Sequence, residues 1–268
     1  MRTIWLISGA VFKESVRDRV PYAMVVFAVL LMTASYLIAQ LTAGQDMKII
    51  KDLGLAALSI FGLFIAVFIG IGLVSKEVEK KSVFGLLSKP LSRTQFILGK
   101  YAGLVTTLAV NLGVMTIAYF AVLYYMNVTT APNVRLAWPT PAMDPRLLIA
   151  IGLIFAELML VTALALFFST FSSPLLATLL TIGLWVAGHF NADLRNFETV
   201  VNSPVAIAIA RGLYYVLPNL GPFDVKSEVV YGMPIAMRTV AFTLAYAAIY
   251  IAILLSAAVA IFRRRDFK

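Results

Sequence analysis

Six long apolar runs divide the chain, and the charged residues are concentrated between them. The runs lie near residues 22–43, 53–74, 101–126, 147–170, 174–190 and 236–262. An α-helix rises about 1.5 Å per residue, so about 20 apolar residues cross a hydrocarbon core about 30 Å thick. A transmembrane barrel would instead need alternating segments of about ten residues. The pattern therefore predicts an all-α integral membrane protein with six transmembrane helices.

The fourth and fifth runs are joined by a very short connection, Phe171-Ser172-Ser173-Pro174. Proline ends a preceding helix and is favoured in the first turn of the next one. A connection of this length leaves the two helices side by side and running in opposite directions. The sequence therefore predicts an antiparallel hairpin here.

The composition agrees with a membrane protein, since 61% of the residues are hydrophobic and only 13% are charged. Cysteine is absent and there is one histidine, which excludes disulfide scaffolds and the usual zinc sites and predicts no bound cofactor or metal. The net charge of +9 comes from basic residues beside the apolar runs. Membrane orientation and anionic lipid explain such charges, so we expect no nucleic-acid partner.

The sides of the membrane follow from the positions of lysine and arginine. With six spans, 14 of these residues fall on the side of both termini and 8 fall on the other side. Because basic residues are enriched in short cytoplasmic segments, both termini are predicted to be cytoplasmic.

Residues 1–20 have the pattern of an amphipathic helix ahead of the first span. The spacing predicts one apolar face formed by Ile4, Ile7, Val11 and Val16. The remaining surface carries Ser8, Lys13, Glu14, Arg17 and Asp18. We interpret residues 1–20 as an elbow helix in the membrane interface. The alternative is a charged tail that only fixes the topology.

A charged segment, residues 75–100, separates the second and third runs and is predicted to be cytoplasmic. Its charges are suited to docking a partner: Glu77 and Glu79 to basic residues, Lys89 and Arg93 to acidic ones. The alternative is a loop that only sets orientation. The chain lacks a phosphate-binding Gly-x-x-x-x-Gly-Lys-Ser/Thr loop, so it has no nucleotide site of that kind.

Two segments on the other side differ from short connections. Residues 127–146 carry four prolines and are predicted to form an irregular loop. Within residues 191–235, the apolar stretch 204–217 is too short to span a bilayer, which predicts a re-entrant or interfacial helix. The aromatic residues expected near the headgroups are Tyr214, Tyr215, Phe223 and Tyr231.

Three polar residues stand out from their apolar surroundings. Glu157 lies in the middle of the fourth run, where it either lines a translocation path or makes a buried hydrogen bond. The partners considered for that bond are Asn111, Thr162 and Thr178. Arg211 either snorkels to the surface or contacts an anionic head group. His189 is interpreted as an interfacial histidine in preference to a pH sensor or metal ligand.

The chain resembles the ABC transporter type-2 permease family in three features. They are the N-terminal amphipathic helix, the charged segment after the second run, and the re-entrant stretch before the last run. The charged segment is the most specific, with Glu77 and Glu79, Phe84-Gly85-Leu86-Leu87-Ser88, Pro90-Leu91-Ser92-Arg93 and Gly99-Lys100. Where members often carry Gly-Thr after the paired acidic residues, this chain carries Lys81-Ser82.

The resemblance implies one permease domain over residues 1–268, in the inner (plasma) membrane of a bacterium. It implies a non-enzymatic subunit of an ABC exporter that pairs with a second permease copy. Separate ABC ATPase subunits would bind ATP and Mg. The residues expected to couple to them are Glu77, Glu79, Ser82, Lys89, Arg93, Phe171, Ser172 and Ser173. The alternative function is a non-transporting scaffold that anchors an ATPase-driven assembly outside the membrane.

Overall fold

The computed structural model describes residues 2–17, 19–39, 46–79, 92–136, 138–191, 203, 207, 211–212, 214 and 217–264. Those residues are predominantly α-helical, and no strand occurs among them. The helices are α1 Arg2–Arg17, α2 Arg19–Ala39, α3 Asp46–Glu79, α4 Arg93–Thr129, α5 Pro132–Arg135, α6 Arg146–Ser169, α7 Pro174–His189, α8 Lys226–Tyr231 and α9 Met237–Arg264, with a 3-10 turn at Gly221–Phe223.

Five of these helices are long and apolar enough to cross a membrane, namely α2, α3, α4, α6 and α9. The fifth predicted span, 174–190, is the apolar helix α7, which has 16 residues and a length of about 24 Å. That is shorter than the roughly 20 residues that cross a bilayer unaided. The helical membrane fold is confirmed, whereas a sixth span stays a prediction.

Helices α3 and α6 form the centre of the bundle. About 72% of the residues in their apolar windows are buried, compared with 22%, 28% and 22% in α2, α4 and α9. The two central helices run in the same direction, because Gly62 contacts Leu158 and Gly70 contacts Ala165. Small residues at such contacts allow helix axes to approach closely in a membrane.

The bundle has two ends that differ in their charged residues. At the first, which we call the Lys51 end, Lys51 contacts the loop of residues 138–145 and Arg146 contacts Gly232. At the second, the Arg93 end, Arg93 contacts the last turn of α9. Basic residues predicted on opposite sides of the membrane therefore lie at opposite ends. Which end faces the cytoplasm stays a prediction.

Helix α1 runs alongside α4 in the same direction. A Cβ atom built on Gly99 would lie 2.8 Å from Ile7 Cβ, and one built on Gly103 would lie 2.7 Å from Val11 Cβ and 2.8 Å from the Ser8 carbonyl oxygen. The contacts follow the same order along both helices, so α1 and α4 are parallel. Glycines thus create the groove in which the N-terminal helix lies.

Helix α1, Arg2–Arg17, covers most of the predicted elbow helix at residues 1–20, whose place in the membrane interface stays a prediction. Its predicted apolar face is wrong in part. Val16 is exposed, whereas Ser8 and Ser15 are buried. Close approach to α4 favours small side chains, and the Ser15 hydroxyl is satisfied by donating to the Val11 carbonyl 2.9 Å away. Lys13, Glu14 and Arg17 are exposed, and Asp18 lies outside the described residues.

We predict that Gly103→Ala destabilises the protein by about 1–3 kcal/mol, because the new methyl group would overlap Val11 and the backbone of α1. The measurement is the unfolding midpoint of the purified protein in detergent. Gly113→Ala is the matched control, since a Cβ there has no neighbour within 4 Å. Equal midpoints for the two variants would contradict the close contact between α1 and α4.

Candidate functional site

Glu157 is the centre of a buried polar cluster between α6 and α7. Its side chain is almost completely buried, and Oε1 accepts a hydrogen bond from Trp185 Nε1 at 2.6 Å. His189 Nε2 lies 3.5 Å from the same oxygen. The Trp185 and His189 rings lie 4.6 Å apart. A carboxyl group in the middle of a membrane helix is thus provided with two partners from the neighbouring helix.

The hydrogen bonds of His189 define where protons are needed in this cluster. His189 Nδ1 lies 3.0 Å from the Trp185 carbonyl oxygen, which can only accept, so Nδ1 carries a proton. The other ring nitrogen then faces a carboxyl oxygen. An attractive contact requires one further proton, on either His189 Nε2 or Glu157.

The hydrogen-bond partners considered for Glu157 from the sequence are wrong. Asn111, Thr162 and Thr178 each donate to a carbonyl one turn earlier in their own helix. Such local bonds are the usual solution for polar side chains inside helices. The hairpin could have indicated where the partners lie. Glu157 is about 15 residues before the middle of the turn, so it lies opposite the part of α7 near residue 187, which is equally far after the turn.

An irregular segment, residues 217–223, packs against the half of this hairpin that is nearer the Lys51 end. The Leu220 N–H donates to the Gly188 carbonyl at 3.0 Å, and the Asn219 N–H donates to the Tyr246 hydroxyl at 2.9 Å. A Cβ on Gly188 would lie 2.8 Å from the Pro218 carbonyl oxygen. Non-helical backbone at membrane depth must be satisfied by protein in this way.

This segment corrects one sequence-based expectation. Phe223 was expected near the headgroups, but it is 1% exposed and packs with Leu220 in the apolar core. Tyr231 is exposed beneath Lys48 at the Lys51 end, and Tyr214 is half-buried. Tyr215 lies outside the described residues, as does most of the stretch 204–217. Arg211 is exposed.

The Lys51 end contains a second buried polar network, which the sequence analysis missed. Lys51 is fully buried and its Nζ donates to Thr140 Oγ1 at 2.6 Å and to the Pro141 carbonyl at 2.7 Å. Nearby, Arg146 pairs with Asp144 at 2.9 Å and donates to the Gly232 carbonyl at 3.0 Å. A lysine inside the first turns of an apolar helix was the available signal.

Asp144 lies in the loop outside the membrane-spanning helices. Burial by itself raises the pKa of its carboxyl group, but the hydrogen bonds and charge of Arg146, together with the charge of Lys51, outweigh burial. The pKa of Asp144 therefore lies below its usual value.

The residues predicted to couple to an ATPase lie at the Arg93 end where they are described. Arg93 Nη1 donates to the Phe262 and Arg263 carbonyls at 2.8 Å and 2.7 Å. Ser172 donates to the Phe168 carbonyl at 2.6 Å, and Phe171 is exposed. Ser173 is exposed and occupies the N-cap position of α7 without a capping hydrogen bond from its side chain. Glu77 and Glu79 belong to the last turns of α3, while Ser82 and Lys89 lie outside the described residues.

The end of α3, the start of α4 and the turn between α6 and α7 thus lie at the same end of the molecule, the Arg93 end. In comparisons with known proteins, the family described as ABC-2 family transporter protein matches residues 5–267 of the 268. The chain belongs to the ABC-2 transporter family. None of the curated proteins matches it.

Membership of the ABC-2 family identifies a multi-pass membrane protein. ABC-2 permeases are transport subunits that work with ABC ATPase subunits. In this ABC-2 protein, Asn111 does not join Glu157, because it lines a small cavity between α4 and the junction of α1 with α2. Glu157, Asn111 and Arg211 were predicted together for a possible translocation path or interface; Glu157 and Asn111 face different neighbours, and a role for the three stays a prediction.

We predict that Trp185→Phe lowers stability by about 1–3 kcal/mol, because it removes the indole donor and leaves a buried carboxyl group with one partner fewer. Glu157→Gln should cost less, since an amide oxygen still accepts from Trp185. Thermal unfolding in detergent provides the comparison, with Trp138→Phe as the control for lost aromatic area. A larger loss for Glu157→Gln than for Trp185→Phe would argue against this assignment.

Asp144 predicts a pH dependence of stability. Because its pKa is lowered in the fold, the ionised group stabilises the protein above about pH 4, its unfolded value, and this contribution is lost as the pH falls through the folded value. Asp144→Asn should thus cost about 1–3 kcal/mol at pH 7 and less at pH 3, measured by unfolding in detergent. The control is Asp224→Asn, which removes an exposed pair with Lys226. A loss of stability in Asp144→Asn that is equal at pH 7 and pH 3 would refute the prediction.

Proposed function

We propose that the chain is the membrane-spanning permease subunit of an ATP-driven ABC exporter, and that it couples ATP hydrolysis on separate nucleotide-binding subunits to export. The family match over almost the whole chain is the observation that carries this proposal. We place the protein in a bacterial inner membrane with both termini cytoplasmic and a second permease copy as partner. ATP and Mg belong to the ATPase subunits.

The lengths of α3 and α4 support a coupling role for residues 75–100. The two helices have 34 and 37 residues and are about 51 Å and 55 Å long, well beyond a hydrocarbon core of about 30 Å. Residues 75–79 continue α3 without a break, and residues 93–100 begin α4. Both sides of the charged segment are therefore rigid extensions of membrane helices.

Arg93 connects this coupling segment to the last helix. Its guanidinium donates to two carbonyl groups at the C-terminal end of α9, where a helix dipole favours positive charge. Phe96 and Phe262 stack beside it with ring centres 5.7 Å apart. A displacement of the start of α4 would thus reach α9 directly.

The α6–α7 hairpin provides a second connection, from the turn at residues 171–173 towards the Lys51 end. Trp185 and His189 hold α7 against Glu157, and Gly188 contacts Leu220 in the irregular segment. Movement of the turn would pass through α7 to that segment. In this proposal Glu157 holds the hairpin together, and its charge state depends on the proton shared with His189.

A permease responds only to contacts that differ between two states of its ATPase, so docking is the decisive property to test. We predict that the double variant Glu77→Lys, Glu79→Lys weakens binding of an ABC ATPase subunit from the same organism at least tenfold. Co-purification and permease-stimulated ATP hydrolysis in lipid vesicles provide the measurements.

The control for this experiment is the double variant Asp52→Lys, Glu228→Lys, which makes the same change in charge at the Lys51 end. Loss of binding in both variants would show a general charge effect, and undiminished binding in the first would refute docking at this segment. Vesicles also separate two functions. ATP-dependent solute or lipid movement supports export, and ATPase binding without any such movement supports the scaffold.

A further inference from the structure

An open groove lies between the start of α9 and the irregular segment 217–223. Its volume is about 290 Å³, and its walls are Asn219, Pro222, Thr239, Phe242, Thr243 and Tyr246. The Thr243 hydroxyl is bonded to the Thr239 carbonyl at 2.9 Å, and the Tyr246 hydroxyl accepts from the Asn219 N–H. Because those polar groups are satisfied, the groove offers mainly ring and methyl surface.

The position of the groove matches one leaflet of a bilayer. Its α9 residues extend from Thr239, in the first turn, to Tyr246, about 10 Å further along the helix. Tyr246 packs near Phe223 and the centre of α6, where Ala156 and Leu160 lie. With α9 as a membrane span that begins near Met237, the groove runs about 10 Å from the start of the span towards the middle of a hydrocarbon core about 30 Å thick.

A positive charge lies at the surface end of the groove. Arg238 is exposed, and its guanidinium carbon lies 5.4 Å from the centre of the Phe242 ring, which is part of the wall. The ring orients the arginine by a cation–π contact. Asp224, which follows the irregular segment, is paired with Lys226 at 3.5 Å.

From this charge above a membrane-deep apolar groove, we propose that the protein binds an anionic phospholipid here, with its phosphate on Arg238 and one acyl chain in the groove. A volume of about 290 Å³ is at the lower end of the ~300–1,000 Å³ of ligand sites, which suits part of one chain and no whole lipid. The proposal does not depend on the proposed export function, because it requires no ATPase.

Two variants test the charge and the space separately. Arg238→Gln removes the cation, and Thr239→Trp fills the groove from an exposed position. Their controls are Arg135→Gln, at the end of the short helix α5 at the same end of the bundle, and Ala241→Trp, at an exposed position of α9 outside the groove. Native mass spectrometry of the full chain in detergent would be titrated with phosphatidylglycerol or with phosphatidylcholine of the same acyl chains.

We expect the wild type to bind phosphatidylglycerol more tightly than phosphatidylcholine. Arg238→Gln should weaken phosphatidylglycerol binding about fivefold, or ~1 kcal/mol, and Thr239→Trp should weaken binding of both lipids, while the controls match the wild type. Equal affinity of the wild type for the two lipids would overturn the proposal. Normal lipid binding by Thr239→Trp would also overturn the proposal. So would a Thr239→Trp variant in which only the monomer–dimer ratio changes, because that result would mean that a second copy covers the groove.

Discussion

The irregular backbone of residues 217–223 can lie among membrane helices only because its polar groups are bonded to them. The Leu220 N–H reaches the Gly188 carbonyl, and the Asn219 N–H reaches Tyr246. Hydrocarbon offers no hydrogen bonds, so each group left unsatisfied would cost several kcal/mol. The close approach at Gly188, the position of α9 and the groove beside it all follow from this requirement.

Buried ionisable side chains also need hydrogen-bond partners, and they obtain them in two different ways. Glu157 obtains partners from a neighbouring helix, whereas Lys51 obtains a hydroxyl and a carbonyl from a loop. A cation in the first turns of a helix can be reached by loop backbone, because the loop closes that end of the bundle. A carboxyl group in mid-span has only side chains within reach, so its partners must come from helix packing.

The helical membrane fold and five of the spans could be predicted from the sequence, because length and apolarity directly reflect the thickness of a bilayer. The partners of Glu157 required the register of the α6–α7 hairpin, and local bonds had already satisfied Asn111 and Thr162. Likewise, the burial of Ser8 depends on the close approach of α4 at Gly103, which is distant in the sequence. Amphipathic spacing is a property of one helix, so it cannot predict contacts that depend on which other helix packs against it.

The pairing of α1 with α4 has a consequence for synthesis. The ribosome makes Ile7 long before Gly99, and at about 5–20 residues per second the partner glycines follow roughly 5–20 s later. During that time α4 cannot cover the side of α1 that carries Ile7 and Val11. Helix α1 is therefore made well before the helix that buries it, and its apolar side needs lipid or another protein surface in the interval.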